Sequence, residues 1–125
     1  MKLIALVLVL LLAFVVPVPA QATPHSAKIT WGASSDAAAN PSLGYNVYRL
    51  AGACPTTAPT TVGTGGFAKV NSSPIAALTY TDTPLPIGPV CYYGTATLNG
   101  AESVPSNVMG GTVSPATITI NISLQ

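Results

Sequence analysis

The stretch Val90-Cys91-Tyr92-Tyr93-Gly94-Thr95-Ala96-Thr97-Leu98, running into Asn99-Gly100, decides how the chain is read. It is rich in β-branched and aromatic residues, which suit a pleated, half-buried surface. The Asn-Gly pair that follows favours the tight turn of a two-residue hairpin. The stretch therefore reads as a central β-strand, and it carries one of two cysteines. The other, Cys54, lies in a loop 37 positions earlier.

Segments on either side repeat the pattern. Ala27-Lys28-Ile29-Thr30-Trp31 alternates apolar and polar residues, as a strand with one buried face does. Tyr45-Asn46-Val47-Tyr48-Arg49-Leu50 sets Tyr45 and Val47 on one face and Tyr48 and Leu50 on the other, so both faces should be covered in part. Phe67–Asn71 and Leu78–Asp82 are further short strands, and residues 103–113 a sixth that Pro105 breaks and Gly110-Gly111 loosens. Residues 51–66 read as loop, as does the Pro-punctuated run 83–89, whose Leu85 and Ile87 are expected to plug one end of a core. Asp82 is expected to cap a turn before Pro84. Short strands at this spacing, with no helical period, predict an all-β sandwich or barrel. Residues 117–124 then form a clean amphipathic strand, Ile118, Ile120, Ile122 and Leu124 alternating with polar neighbours. Such a strand needs a partner.

The N-terminus has a different character. Lys2 precedes 14 uninterrupted apolar residues, 3–16, and then Pro17-Val18-Pro19-Ala20-Gln21-Ala22. A basic start, an apolar middle and an Ala-x-Ala end define a secretory signal peptide over residues 1–22, cut after Ala22 or after Ala20. The apolar run is shorter than the ~20 residues that span a bilayer, so no stable membrane insertion is expected after cleavage. The expected localisation is secreted, extracellular or periplasmic. Two cysteines in an exported chain of this size predict a Cys54–Cys91 disulfide. The alternative, a pair of metal ligands, lacks partners, since the single histidine is His25.

Beyond the signal segment three cations (Lys28, Arg49, Lys69) balance three anions (Asp36, Asp82, Glu102). No basic patch exists to neutralise phosphates, so nucleic acid is not an expected partner. One histidine and three scattered carboxylates assemble no reaction centre, and no enzyme, cofactor or metal site is expected. Asp36 with Ser34 and Ser35 falls well short of the six to eight oxygens of a calcium site. Asn71-Ser72-Ser73 and Asn121-Ile122-Ser123 fit the glycosylation acceptor pattern, which matters only on a eukaryotic secretory route.

Taken together, Ile29-Thr30-Trp31, Gly44-Tyr45-Asn46-Val47-Tyr48-Arg49 and Lys69-Val70-Asn71-Ser72-Ser73-Pro74 resemble a bacterial secreted fibronectin type III domain. Thr79-Tyr80-Thr81-Asp82-Thr83, Tyr92-Tyr93-Gly94-Thr95-Ala96, Glu102-Ser103 and Ser106-Asn107 extend the match over about residues 25–115. The resemblance implies a two-sheet immunoglobulin-like β-sandwich for residues 23–115, with residues 116–125 as a C-terminal tail. It makes Ala27–Trp31 strand B, Tyr45–Leu50 strand C, Phe67–Asn71 C′, Leu78–Asp82 E, Val90–Leu98 F and Ser103–Val113 G.

Three departures stand out. Strand A is missing, and the tail strand is expected to fill its edge, in its own sandwich or in a homodimer through residues 117–124. The family tyrosine at the entry to strand F falls on Val90 or Cys91, depending on whether Ala96 or Gly88 anchors the alignment. The Ala96 register turns Val90, Tyr92, Ala96 and Leu98 inward and leaves Thr95 and Thr97 outside. The disulfide is then expected to be the only fastening of that corner. Third, no Arg-Gly-Asp tripeptide is present.

The resemblance implies a non-enzymatic binding or adhesion module for an extracellular protein or glycan, or a structural, self-associating envelope component. Candidate binding residues are Tyr48 and Tyr93, which parity sets opposite the main core. Exposed, they would form an aromatic platform for sugar rings or a protein partner. The alternative, favoured because large exposed apolar patches are uncommon, is that loops or the tail cover them. Asp36 in the 33–43 loop and Asn99 in the hairpin turn are expected to share one end of the sandwich.

Overall fold

The computed structural model describes Pro17, residues 24–115 and residues 117–124. The predicted signal segment, residues 1–22, lies outside the described residues apart from Pro17.

Eight strands form: β1 (His25–Trp31), β2 (Gly44–Leu50), β3 (Ala68–Lys69), β4 (Thr79–Leu85), β5 (Gly88–Leu98), β6 (Ala101–Glu102), β7 (Met109–Val113) and β8 (Ile118–Ile122). No helix occurs among the described residues. The strands make two sheets, β4-β1-β8 and β3-β2-β5-β6, with β7 also paired to β5. The protein is an all-β, immunoglobulin-like two-sheet sandwich.

The alternation read from the sequence sets the core. Ala27, Ile29 and Trp31 from β1 meet Tyr45 and Val47 from β2 and Val90, Tyr92 and Ala96 from β5, all buried. Trp31 and Tyr45 lie in tilted contact, ring centroids 5.6 Å apart. The turn after β5 has positive φ at Asn99 (52°) and Gly100 (83°), the backbone that a two-residue hairpin requires.

β8 completes the first sheet. It pairs with β1 in parallel, Ala27 opposite Ile118 and Trp31 opposite Ile122, and so occupies the edge that a strand A would hold, within its own sandwich. Ile120 and Ile122 enter the core at 3% exposure each. The second sheet makes room for them with glycines. A Cβ on Gly94 would stand 2.6 Å from Ile122 Cδ1, and one on Gly111 would stand 3.1 Å from Ile118 Cδ1.

Four expectations are corrected. β4 runs through Pro84 to Leu85 instead of ending at Asp82; it is an edge strand, where a residue without an N–H is tolerated. Leu85 reaches the core, whereas Ile87 is 63% exposed. Asp82 caps no turn. It is buried in β4 and accepts hydrogen bonds from Arg49 Nη1 and from the Tyr92 hydroxyl, both at 2.8 Å. This cluster joins the two sheets, so the disulfide is not the sole fastening of that end.

The predicted G strand is split. Between β6 and β7, residues 103–108 leave the ladder, yet the edge of β5 stays satisfied. Ser103 and Ser106 N–H groups donate to the Ala96 and Gly94 carbonyls (2.8 and 2.9 Å). Their hydroxyls accept from the Ala96 and Gly94 N–H groups at 3.0 and 2.9 Å. Serine oxygens thus replace backbone acceptors around Pro105, so the Gly94 and Ala96 N–H groups of β5 keep their partners.

Candidate binding surfaces

The outer face of the second sheet carries Asn46, Tyr48, Cys91, Tyr93, Thr95 and Thr97. Of the two readings of the tyrosine pair, cover by a loop holds and the exposed platform does not. Tyr48 and Tyr93 do stack, opposite each other in register, with centroids 4.9 Å apart. They are, however, 5% and 0% exposed. The 51–67 segment folds over them. Phe67 packs on Tyr93 at 4.8 Å, Leu50, Cys54, Val62 and Val108 surround the pair, and the Gly63 N–H donates to the Tyr93 hydroxyl at 2.8 Å. The predicted Cys54–Cys91 disulfide is formed, Cα–Cα 5.0 Å, and ties this segment to β5. The molecule has a second small core on the outside of one sheet, and Tyr48 and Tyr93 belong to it. A buried disulfide of this kind fits an oxidising compartment.

Thr95 and Thr97 face outward as expected but are buried as well, at 0% and 6% exposure. Glu102 covers them. It stands opposite Thr97 in the β5–β6 hairpin, and its carboxylate accepts from the Tyr48 hydroxyl (2.8 Å), Thr95 Oγ1 (3.1 Å) and Asn46 Nδ2. Asn46 Oδ1 in turn accepts from Asn71 Nδ2 (2.8 Å), and Asn71 Oδ1 takes the Val47 N–H at 2.8 Å. Asn71 is thereby buried and fully engaged, the opposite of an accessible glycosylation acceptor. Sequence reading took Glu102 for an isolated carboxylate; counting back from Asn99-Gly100 across a two-residue turn would have paired it with Thr97.

These tyrosines are held neutral. Burial, reinforced by the hydrogen bond to Glu102, pushes the Tyr48 hydroxyl well above its ordinary pKa of 10.0. Burial and the hydrogen bond to Asp82 do the same for Tyr92, against a smaller opposing effect of Arg49. Tyr93 is also raised by burial, although the Gly63 N–H works against the shift. Because the folded values lie above the unfolded one, this contribution to stability is complete below about pH 10 and is lost as pH climbs toward the folded values. Absorbance titration of phenolate should show delayed ionisation, with Tyr48→Phe removing one late-titrating group. Complete ionisation at ordinary tyrosine pH, in protein still folded by circular dichroism, would contradict this packing.

The end of the sandwich formed by the 33–43 loop and the hairpin turn is open. The loop is ordered by its own hydrogen bonds: Ser34 N–H donates to the Tyr45 hydroxyl (3.0 Å), Ala37 N–H to the Ser34 carbonyl (3.0 Å), and Asn40 N–H to the Asp36 carbonyl (3.1 Å). Asp36 and Asn99 are exposed, as expected of binding residues. A cleft of about 250 Å³ brings Asp36 and Leu43 of the loop to Thr97, Leu98, Ala101 and Glu102 of the hairpin. At the opposite end, Leu85, Ile87, Val90 and Val113 line a cavity of about 290 Å³ that Arg49 also borders. Among the described residues, no three of His, Cys, Asp and Glu gather as a metal-binding group, and no helix is long and apolar enough to cross a membrane.

No protein-family profile, curated protein or solved structure matches the chain.

Proposed function

We propose that the protein is a secreted, non-enzymatic binding module of the fibronectin type III kind, which holds an extracellular protein or glycan at the end built by the 33–43 loop and the β5–β6 hairpin. The observation that carries this reading is the cleft between Asp36 and the hairpin. It combines an ordered loop, an exposed carboxylate and a rigid turn on a scaffold whose other aromatic candidates are buried. Loops clustered on such a scaffold are where recognition usually sits. Export is supported by the basic start, the apolar run 3–16 and the Ala-x-Ala sequence, together with the disulfide.

Glycan arrays and pull-downs from extracellular extracts, with the mature protein as bait, test the reading. Asp36→Lys and Ala101→Arg change exposed positions at this end and should cut capture at least about tenfold, the effect of losing ~1.4 kcal/mol of binding. Ile87→Ser, at the far end, should leave capture intact. Equal capture by all three variants, or turnover of any substrate, would overturn the proposal.

A further inference from the structure

Among the described residues β8 has β1 as its one strand partner and forms an edge of its sheet. The remaining outer positions in the sheets are each blunted. β3 is two residues long and carries Lys69. β4 contains Pro84 and faces a register shift between His25 and Ala27. Beyond β5, the edge is divided between β6 and β7, with Pro105 in the gap and Gly110-Gly111 inside β7. Such short lengths, charges, prolines and irregularities are the devices by which sheets discourage further pairing.

β8 has none of them. Ile118-Thr119-Ile120-Asn121-Ile122 is regular, uncharged and free of proline and glycine, and its register with β1 is continuous. Its isoleucines are committed inward, Ile120 and Ile122 fully, which fixes its register because a one-residue slip would turn them to solvent. Thr119 and Asn121 are exposed on the outer face of the sheet, Thr119 opposite Lys28 of β1 and Asn121 Oδ1 accepting from Thr30 Oγ1. The open edge ends at Ser123, whose N–H is taken by Asn107 Oδ1 at 2.7 Å.

We propose that this edge is a self-association surface on which a second copy of the chain adds its own β8, antiparallel and about a twofold axis, so that two three-stranded sheets become one. A strand edge alternates donors and acceptors and is complementary to itself when reversed, which is the condition for a twofold interface. The occupant is a second copy because β8 itself carries no charge to select another sequence. The nearest cation, Lys28, lies on the strand behind it, where a twofold partner sets its own Lys28 on the far side of both β8 strands. Two copies also bring together uncharged Thr119 and Asn121 side chains, the latter's Oδ1 already held by Thr30, so that no ion loses its hydration. The inference is independent of what the loop end binds.

Sedimentation velocity on the mature protein over a concentration series tests it. The mass should double with rising concentration. Thr119→Lys/Asn121→Lys and Thr119→Glu/Asn121→Glu should each be monomeric, and mixing the two should restore the doubled mass, since like charges across a strand pair repel and unlike charges attract. A wild-type monomer at every concentration, a dimeric lysine variant, or a mixture that stays monomeric would each overturn the proposal. Should a variant lose the wild-type circular dichroism, hydrogen exchange on the wild type decides. The β8 amides that do not face β1 must gain protection with concentration, and unchanged protection overturns the proposal.

Discussion

Deleting residues 116–125 should unfold the protein or lower its melting temperature by 10 °C or more. Fully burying an isoleucine side chain is worth about 1.5–3 kcal/mol. Ile120 and Ile122 together therefore supply ~3–6 kcal/mol, set against a total stability on the order of 5–15 kcal/mol for a domain. Each kcal/mol moves the midpoint of a domain this size by about 4–8 °C. The loss is not confined to those two side chains, because the deletion also bares the edge of β1 and the notches at Gly94 and Gly111. Thermal melts followed by circular dichroism measure the effect. A synthetic peptide of residues 116–125 should return the truncated chain to the wild-type midpoint if the strand acts by filling that slot. Melting within a degree or two of wild type would show that β8 is not part of the core.

Replacing both cysteines, Cys54→Ala/Cys91→Ala, should destabilise by about 4 kcal/mol on the chain-entropy model for a loop of this length, strain aside. The damage should be uneven. The disulfide holds the 51–67 segment over Tyr48 and Tyr93, whereas Arg49, Asp82 and Tyr92 hold the sheets together from within. The reduced or substituted protein should keep the far-ultraviolet spectrum of a folded sandwich. It should lose near-ultraviolet tyrosine signal, and the phenolates of Tyr48 and Tyr93 should titrate nearer the ordinary pH. Denaturant unfolding with and without reductant gives the magnitude. A midpoint unchanged by reduction would mean that the outer core stands without its covalent tie.

Much of the sandwich was legible before any coordinates. Alternation in Ala27–Trp31 and Tyr45–Leu50, and the Asn99-Gly100 turn, reflect local rules of strand parity and turn chemistry, and each holds. The candidate site was less legible, for a definable reason. Parity states which face a side chain takes but not what lies over that face. Parity sets Tyr48 and Tyr93 opposite the main core, yet Val62, from a loop with no periodicity, and Phe67, just ahead of β3, cover them. Asp82 was misread because Pro84 signals a turn in most contexts, and only the edge position of β4 lets the strand continue through it. Asp36 and Asn99, in contrast, sit in segments whose exposure follows from local turn chemistry.

The parallel course of β8 beside β1 also fixes the direction in which the molecule can be held. Both strands run toward the end that carries the 33–43 loop and the hairpin, Trp31 lying beside Ile122. The described chain enters at one pole, at His25, and β8 runs toward the other, its Leu124 packed on the core near Gly94. A tag, surface linkage or fused domain joined after residue 125 would therefore crowd the loops, while one placed ahead of His25 would present them outward. Immobilising the mature protein by each end in turn, and comparing capture, would translate the strand's direction into a choice of handle.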